Sequence, residues 1–233
     1  MTPRLPSRRN TSRRDLLEYS SGAKVFALAV AAALLLTCCS HKVTGTAMRA
    51  SGAATEAPSS RDGQCAVVTS PLADIPPVDR GEPRLRIPVP SGWKRNNMMD
   101  SRIIRYAIVA HDLTTGGFAA NAVVTLETVP GAQSAGAVFE QNRSNLVGML
   151  GASDLSTEGN STCGFPSETT DYIAPAMGAA PKRPVIMHAV VAISKGTTYL
   201  ATLTIQTADG KNPTYQRDAK EIVDGFQMRL PGK

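Results

Sequence analysis

The hydrophobic pattern divides the chain into an early apolar run, a polar stretch and a long region of periodic segments. Val25 to Leu36 form an unbroken run of twelve apolar residues behind a basic segment. A membrane-spanning helix needs about 20 residues, so this run is too short to cross a bilayer. A basic start, a short apolar core and small residues after it are typical of a removable export signal. We predict that residues 1–38 are a signal peptide.

The end of the apolar run predicts lipid attachment. Leu36-Thr37-Cys38-Cys39 has the layout of a bacterial lipoprotein signal, in which cleavage leaves a lipid-bearing cysteine at the new N-terminus. Cys39 fits this layout better than Cys38, which would need Thr37 directly before the cut, and Cys38 is the alternative. We expect an exported protein that is anchored to the outer face of the cell membrane by its N-terminal lipid.

Two export routes remain open. Residues 12–17, Ser-Arg-Arg-Asp-Leu-Leu, resemble the twin-arginine motif, which is an address read by a receptor and not an anchor. An ordinary basic segment that happens to contain paired arginines would instead use the general route.

The polar stretch predicts a spacer. From Ser40 to about Gln64 the chain consists mostly of small and polar residues without apolar periodicity, a composition that cannot bury enough surface to fold. A proline-rich segment from Pro71 to Pro83 continues it and predicts extended coil. We therefore assign residues 39–83 to a lipidated N-terminus and flexible tether, and residues 84–233 to a single domain.

Period-two alternation predicts strands in that domain. Leu85, Ile87 and Val89 alternate, and residues 103–110 and 118–129 are β-rich and separated by a Thr-Thr-Gly-Gly turn signal. Further strands are predicted at residues 168–173, 184–194 and 197–207. The last two flank Lys195-Gly196, which suits a two-residue hairpin connection.

Three- and four-residue spacing predicts two helices. The first spans residues 134–150, with Ser134 as N-cap and apolar positions at 137, 138 or 139, 146, 147 and 150. The second begins at Asn212-Pro213, as N-cap and first-turn proline. Its predicted buried stripe is Tyr215, Ala219, Ile222, Val223 and Phe226, and its predicted solvated face is Asp218, Glu221 and Asp224. Strands, helix, strands and helix in this order predict an α+β fold.

Loss of the signal peptide changes the charge balance. The precursor has 25 basic and 19 acidic residues, of which six and two lie in residues 1–38. The mature chain therefore has a net charge near +2, against +6 for the precursor. No basic run survives and aromatic residues are not interleaved with basic ones, so we predict no nucleic-acid partner.

The cysteine count predicts one disulfide. With Cys38 removed and Cys39 lipidated, only Cys65 and Cys163 remain, in an exported and oxidising environment. Two free thiols or a metal pair are the alternatives, and neither has supporting histidine or acidic spacing nearby. The cross-link would join the start of the domain to its middle.

Three segments together resemble a known family. Ile87–Trp93 (IPVPSGW), Gly164–Ser167 (GFPS) and Tyr199–Ile205 (YLATLTI), in this order and spacing, resemble the LpqN/LpqT-type lipoproteins of mycobacteria. The resemblance implies a Mog1/PsbP-like fold, a twisted antiparallel sheet with helices packed against it. It also implies a cell-envelope accessory protein tied to envelope lipids and their transport partners. It supplies no catalytic residues.

The residues themselves predict no enzyme. The sequence has no Gly-x-Ser-x-Gly elbow, no phosphate-binding Walker loop and no His-x-x-x-His metal spacing. Of the three histidines, His41 belongs to the polar tether and His111 neighbours Asp112 at a strand end. His188 lies in a strand, where a core histidine is commoner than a ligand. We predict no catalytic residue, no metal and no cofactor.

A binding module is the leading prediction for function. Trp93, the only tryptophan, precedes a polar loop and then Met98-Met99, and such residues can line an apolar groove for an envelope lipid or glycolipid. Alternatively, Trp93 closes the edge of the core. The rival function is a protein-interaction module that docks on a membrane transporter or secreted enzyme through its sheet or through residues 174–184.

Overall fold

A computed structural model describes residues 64–232 of the chain. The signal peptide, the candidate lipidation sites Cys38 and Cys39, His41 and most of the tether lie outside the described residues. Among those described, no helix is long and apolar enough to cross a membrane.

The described chain contains ten strands and two helices. In order they are β1 (Leu72–Ile75), β2 (Arg84–Pro88), β3 (Trp93–Arg95), β4 (Ile104–Thr115), β5 (Phe118–Pro130), α1 (Ala135–Gly148), β6 (Ser153–Thr162), β7 (Phe165–Ala174), β8 (Arg183–Ser194), β9 (Thr197–Gln206), α2 (Pro213–Asp224) and β10 (Gln227–Arg229).

The strands form two antiparallel sheets. The large sheet has the order β3-β4-β5-β9-β8-β7-β6, and the small sheet has the order β1-β2-β10. The turns at residues 116–117, 163–164 and 195–196 join neighbouring long strands, and both residues of each turn have positive φ. This is the backbone that two-residue hairpin turns prefer. The predicted connection at Lys195-Gly196 is confirmed.

Helices and the small sheet cover the two faces of the large sheet. Phe139 and Leu146 of α1 pack on one face, in two separate apolar clusters. On the other face a larger core joins the large sheet to α2 and the small sheet. Its fully buried members include Leu85, Ile87, Ile108, Val124, Leu203, Ile205, Ile222, Phe226 and Met228. The predicted α+β class is confirmed.

The predicted caps are present at both helices. The Ser134 hydroxyl accepts a hydrogen bond from the Ala137 amide at the start of α1. The Asn212 side chain accepts from the amides of Thr214 and Tyr215 at the start of α2, where Pro213 occupies the first turn. These bonds satisfy amide donors that have no partner within the helix.

The structure corrects three details of the predicted elements. Val147 and Leu150 are 54% and 47% exposed, because α1 ends at Gly148 and only its Phe139–Leu146 side meets the sheet. Asp218, assigned to a solvated face, is 2% exposed. Residues 72–75, assigned to coil in the tether, pair with β2, so this part of the segment belongs to the folded domain.

Candidate functional site

The large sheet is wider than the elements that cover it. Strands lie about 4.8 Å apart and a helix is about 10 Å across, so one helix covers about two strands. The core on the α2 side contains residues of β1 to β5, β8, β9, β10 and α2, whereas β6 contributes none. An open space remains between α2 and the strands β6, β7 and β8. We call it the α2 cleft.

The α2 cleft consists of two adjoining cavities. One, of about 470 Å³, extends along α2 from Tyr215 to Asp224, and the other, of about 460 Å³, lies beside the second half of the helix. Both are lined by Thr169, Lys220, Val223 and Asp224. The cavities therefore form one elongated groove along the helix.

The floor of the first cavity is largely apolar. Ile173 faces Pro184 across the β7–β8 ladder, and Ile186 is the next residue on the same face of β8. Val223 of α2 faces them from the wall. An apolar strip with a few polar groups is the composition common to small-molecule sites.

Tyr215 contributes an unusual polar group to this cavity. The side chain is 4% exposed, and its buried hydroxyl has no hydrogen-bond partner among the described residues. Burial raises the pKa of Tyr215, and the negative charge of Asp171 raises it further. The phenol therefore keeps its proton and can act as a donor or an acceptor beside the cavity. A buried hydroxyl without a partner costs about 1–3 kcal/mol, a cost that a bound ligand can remove.

Asp171 faces the same cavity from β7. The residue is exposed at the mouth, yet partial desolvation by the cleft walls raises the pKa of its carboxyl, and nearby Glu158 raises it further. Asp154, Glu158 and Asp224 add further carboxylates to the lining, against the single ammonium of Lys220. The cleft thus favours hydroxyl donors and cations over anions.

His188 lies at the foot of the second cavity. Its two ring nitrogens are each 2.8 Å from a threonine hydroxyl, Nε2 from Thr162 and Nδ1 from Thr169. Burial lowers the pKa of His188 to about 4, against a smaller opposing effect of Asp224. The ring is therefore neutral at pH 7, with both nitrogens engaged, as the core assignment predicts.

The N-terminal segment forms one wall of the second cavity. Ala66, Val67 and Val68 line it, and the predicted disulfide between Cys65 and Cys163 is present directly before them. The carboxylate of Glu221 accepts hydrogen bonds from the Thr69 and Ser70 amides. We call residues 65–70 the N-terminal strap.

The structure does not bring the predicted ligand residues together. Trp93 is 4% exposed and its indole Nε1 donates to Asp218 Oδ2 at 2.9 Å. Met98 and Met99 are 88% and 53% exposed on the following loop. Trp93 thus closes the edge of the core, and the three side chains form no common apolar lining.

Sequence reasoning missed the residues that line the α2 cleft. Tyr215 was placed correctly in the buried stripe of α2, but nothing in the sequence showed that its hydroxyl lacks a partner. Asp171 lies in a predicted strand, where a charged residue is usually solvated. Among the described residues, no group of three or more His, Cys, Asp or Glu side chains could hold a metal ion.

Solved structures share this fold. The crystal structure of LpqN from Mycobacterium tuberculosis, a protein involved in cell envelope biogenesis, matches with a TM-score of 0.55 and 19% identity over 68% of this chain and 91% of that chain. At this identity the match shows the fold alone. No curated protein sequence matches the chain at a significant level.

Two further neighbours are the kinds of domain that the resemblance named. Cyanobacterial PsbP from Synechocystis matches with a TM-score of 0.43 and 15% identity, over 64% of this chain and 94% of that one. The Ran-binding protein Mog1p of Saccharomyces cerevisiae matches with a TM-score of 0.41 and 10% identity, over 68% and 96%. Similarities this low carry no further argument.

The family assignment comes from the sequence. The model of the family described as "Probable lipoprotein LpqN" matches residues 71–229, which is more than half of the chain and spans β1 to β10. This chain belongs to the LpqN lipoprotein family.

Proposed function

We propose that this chain is a membrane-anchored lipoprotein of the cell envelope that binds a neutral glycolipid in the α2 cleft and catalyses no reaction. Membership of a lipoprotein family and the predicted cleavage before Cys39 support the anchor. The similar LpqN of Mycobacterium tuberculosis is involved in cell envelope biogenesis, which supports the compartment.

The unpartnered Tyr215 hydroxyl is the observation that supports a glycolipid as the ligand. When the side chains over the buried Tyr215 hydroxyl move aside, a sugar hydroxyl in the cleft can accept a hydrogen bond from it and donate one to the Asp171 carboxylate. The strip formed by Ile173, Pro184 and Ile186 suits the start of an alkyl chain. The carboxylates of the lining oppose an anionic headgroup, so the cleft favours a neutral headgroup over an anionic one.

The chemistry of the cleft supports binding over catalysis. A general base needs a free lone pair close to the proton that it removes. Both ring nitrogens of His188 are already hydrogen-bonded to hydroxyls, and its lowered pKa makes it a weak base. The proton on Tyr215 is held firmly by its raised pKa.

Native mass spectrometry of the chain purified from cell envelopes tests the proposal. We expect a co-purifying neutral glycolipid, and a Tyr215→Phe variant should show a ratio of occupied to empty protein about fivefold lower, the effect of one hydrogen bond. Tyr199→Phe removes a hydroxyl from another buried tyrosine, outside the cleft, and should keep the wild-type ratio.

Two results would count against the proposal. A wild-type protein that carries no lipid would rule out a glycolipid as the ligand. Equal lipid occupancy in the Tyr215→Phe and wild-type proteins would show that the lipid binds outside the α2 cleft.

A second candidate function rests on an exposed apolar end of the molecule. Met149, Leu150 and Met177 are 78%, 47% and 58% exposed, and a Cβ atom at Gly151 would lie 3.7 Å from Pro175, so the end of α1 and the β7–β8 loop are neighbours. Such a patch suits docking on a membrane transporter or secreted enzyme. Crosslinking of an empty protein to one membrane partner in cells would favour this function.

A further inference from the structure

The small sheet presents arginines on the face opposite the core. Leu85 and Ile87 of β2 are buried in the core, while the alternate residues Arg84 and Arg86 face outwards. On β10, Met228 is buried and Arg229 is exposed. Strand alternation therefore gathers three guanidinium groups on one face. We call Arg84, Arg86 and Arg229 the arginine face.

Sheet pairing does not explain these arginines. Arg229 lies directly opposite Arg84 in the β2–β10 ladder. Like charges opposite each other destabilise an antiparallel pair. Among the described residues, the only side-chain carboxylate in the lining of the cavity they form is that of Asp74, opposite Arg86 on β1. The face therefore keeps an excess of two positive charges, as large as the net charge expected for the whole mature chain.

The arginine face borders a cavity of about 480 Å³. All three arginines line it, together with Asp74, Gln227 and residues 230–232. Arg86 Nε lies 2.8 Å from Asp74 Oδ1, yet this buried nitrogen makes no hydrogen bond within the described part of the chain. The Nε–H of Arg86 is therefore not aligned with that oxygen, although the two side chains form an ion pair.

The arginine face lies beside the point where the N-terminal segment joins the domain. Gln227, opposite Arg86 on β10, donates through Nε2 to the Ala66 carbonyl at 3.4 Å. Arg229 also lines a separate cavity with Gln64 and Cys65. A lipid on Cys39 would be joined to this side of the domain through residues 40–63. The arginine face therefore lies beside the point where the chain that leads to such an anchor enters the domain.

We propose that Arg84, Arg86 and Arg229 form a binding site for a phosphate group, which the headgroups of anionic phospholipids present. Arginine binds phosphate through several directed hydrogen bonds. Bound phosphate would neutralise the opposed charges of Arg84 and Arg229. The acidic α2 cleft has the opposite charge preference, so this site is separate from the proposed glycolipid site.

Arginine-directed chemical modification with phenylglyoxal tests the site in the full chain reconstituted in vesicles. Vesicles of phosphatidylcholine alone are compared with vesicles of phosphatidylcholine and phosphatidylglycerol in equal parts, and a third sample adds inorganic phosphate to the neutral vesicles. Peptide mass mapping gives a modification rate for each arginine. We expect Arg84 and Arg229 to react about fivefold more slowly with the anionic lipid, since an arginine near such a surface gains about 1 kcal/mol. Arg102 and Arg217, which are exposed elsewhere, should keep their rates.

Matched variants separate the site from general charge attraction. In Arg84→Ala/Arg86→Ala the protection of Arg229 should disappear, and Arg84→Gln alone should weaken it. Lys94→Ala/Lys182→Ala removes the same number of exposed charges elsewhere and should leave the protection intact. Protection by phosphatidylglycerol alone assigns the site to a lipid headgroup, and equal protection by inorganic phosphate assigns it to free phosphate.

Three results would overturn the proposal. Arg84 and Arg229 could react at unchanged rates in both the anionic-lipid and the phosphate samples. Arg102 and Arg217 could be slowed as much as the arginine face. The protection of Arg229 could also survive in the Arg84→Ala/Arg86→Ala variant.

Discussion

At the scale of single residues, long-range polar contacts decide which charged groups are buried. Asp218 was assigned to a solvated face because it shares helical spacing with Glu221 and Asp224. Its partner, the Trp93 indole, is 125 positions away in the sequence. Helical spacing relates only residues of the same helix, so it does not indicate this pair. The burial of Tyr215 and Ile222 on the same helix depends on spacing alone and was predicted.

His188 gives a pH prediction at this scale. Burial lowers its pKa in the folded protein to about 4 from the ordinary value of 6.5, so the unfolded chain takes up the proton first as the pH falls. The stability contributed by the neutral ring is therefore complete above about pH 6.5 and is lost as the pH falls towards 4, by about 3 kcal/mol in total. Urea unfolding between pH 7.5 and pH 4.5 measures this loss.

A glutamine variant provides the comparison. His188→Gln keeps a side chain that can bond to Thr162 and Thr169 but has no proton to gain. The difference in unfolding free energy between wild type and variant should shrink steadily as the pH falls through this range. A constant difference would show that His188 does not titrate as its burial requires.

At the scale of elements, strands that are polar or lack hydrophobic periodicity were not predicted from the sequence. The β6 strand is exposed along almost all of its length, so it has no alternating apolar face to read. Its place in the sheet comes from backbone pairing with β7. The β1 strand lies in a proline-rich segment and is defined by its pairing with β2, which a local pattern does not contain. Strands with an alternating apolar face, such as β9, were predicted closely.

Gly225, directly after α2, gives the prediction at this scale. A Cβ atom there would lie 2.6 Å from Pro88 Cγ and 2.7 Å from the methyl groups of Val68 in the N-terminal strap. Gly225→Ala should therefore lower the free energy of unfolding by about 1–3 kcal/mol, the usual cost of overpacking. Chemical denaturation measures the change.

Gly148 in α1 is the matched control for Gly225. A Cβ atom at Gly148 would meet nothing within 4 Å, and its φ is not in the left-handed region. Gly148→Ala should raise the free energy of unfolding by about 0.5 kcal/mol, because alanine loses less backbone entropy in a helix. The two variants should change the free energy of unfolding in opposite directions. Equal changes would refute the close packing of the strap on Gly225.

At the scale of the whole molecule, the sequence predicts the class of fold but not the site. Strand and helix order were enough for an α+β domain with a mainly antiparallel sheet. The α2 cleft arises because β6 extends the sheet beyond the reach of α2, and the arginine face arises because β10 returns beside β2. The arginine face depends on a pairing between segments that are far apart in the chain, and the cleft depends on a hairpin strand that has no buried apolar face. Neither leaves a local signal in the spacing of residues.

The disulfide gives the prediction at this largest scale. It joins the N-terminal strap to the β6–β7 turn across 98 positions of the sequence. A cross-link that closes a loop of this length restricts the unfolded chain and stabilises the fold by about 4–5 kcal/mol. Cys65→Ser/Cys163→Ser should lose most of this stability in urea unfolding, and Cys65→Ser alone should lose as much.

A change at Glu221 distinguishes the contact energy of the strap from the effect of the disulfide on the unfolded chain. Glu221→Ala removes the acceptor for the Thr69 and Ser70 amides but keeps the cross-link, and it should cost only about 1–3 kcal/mol. If the disulfide acts on the unfolded chain, the double cysteine variant should keep the lipid occupancy proposed for the α2 cleft under folding conditions, because Glu221 still holds the strap in place. Loss of occupancy without loss of stability would instead mean that the disulfide acts by shaping the cleft wall formed by Ala66 to Val68.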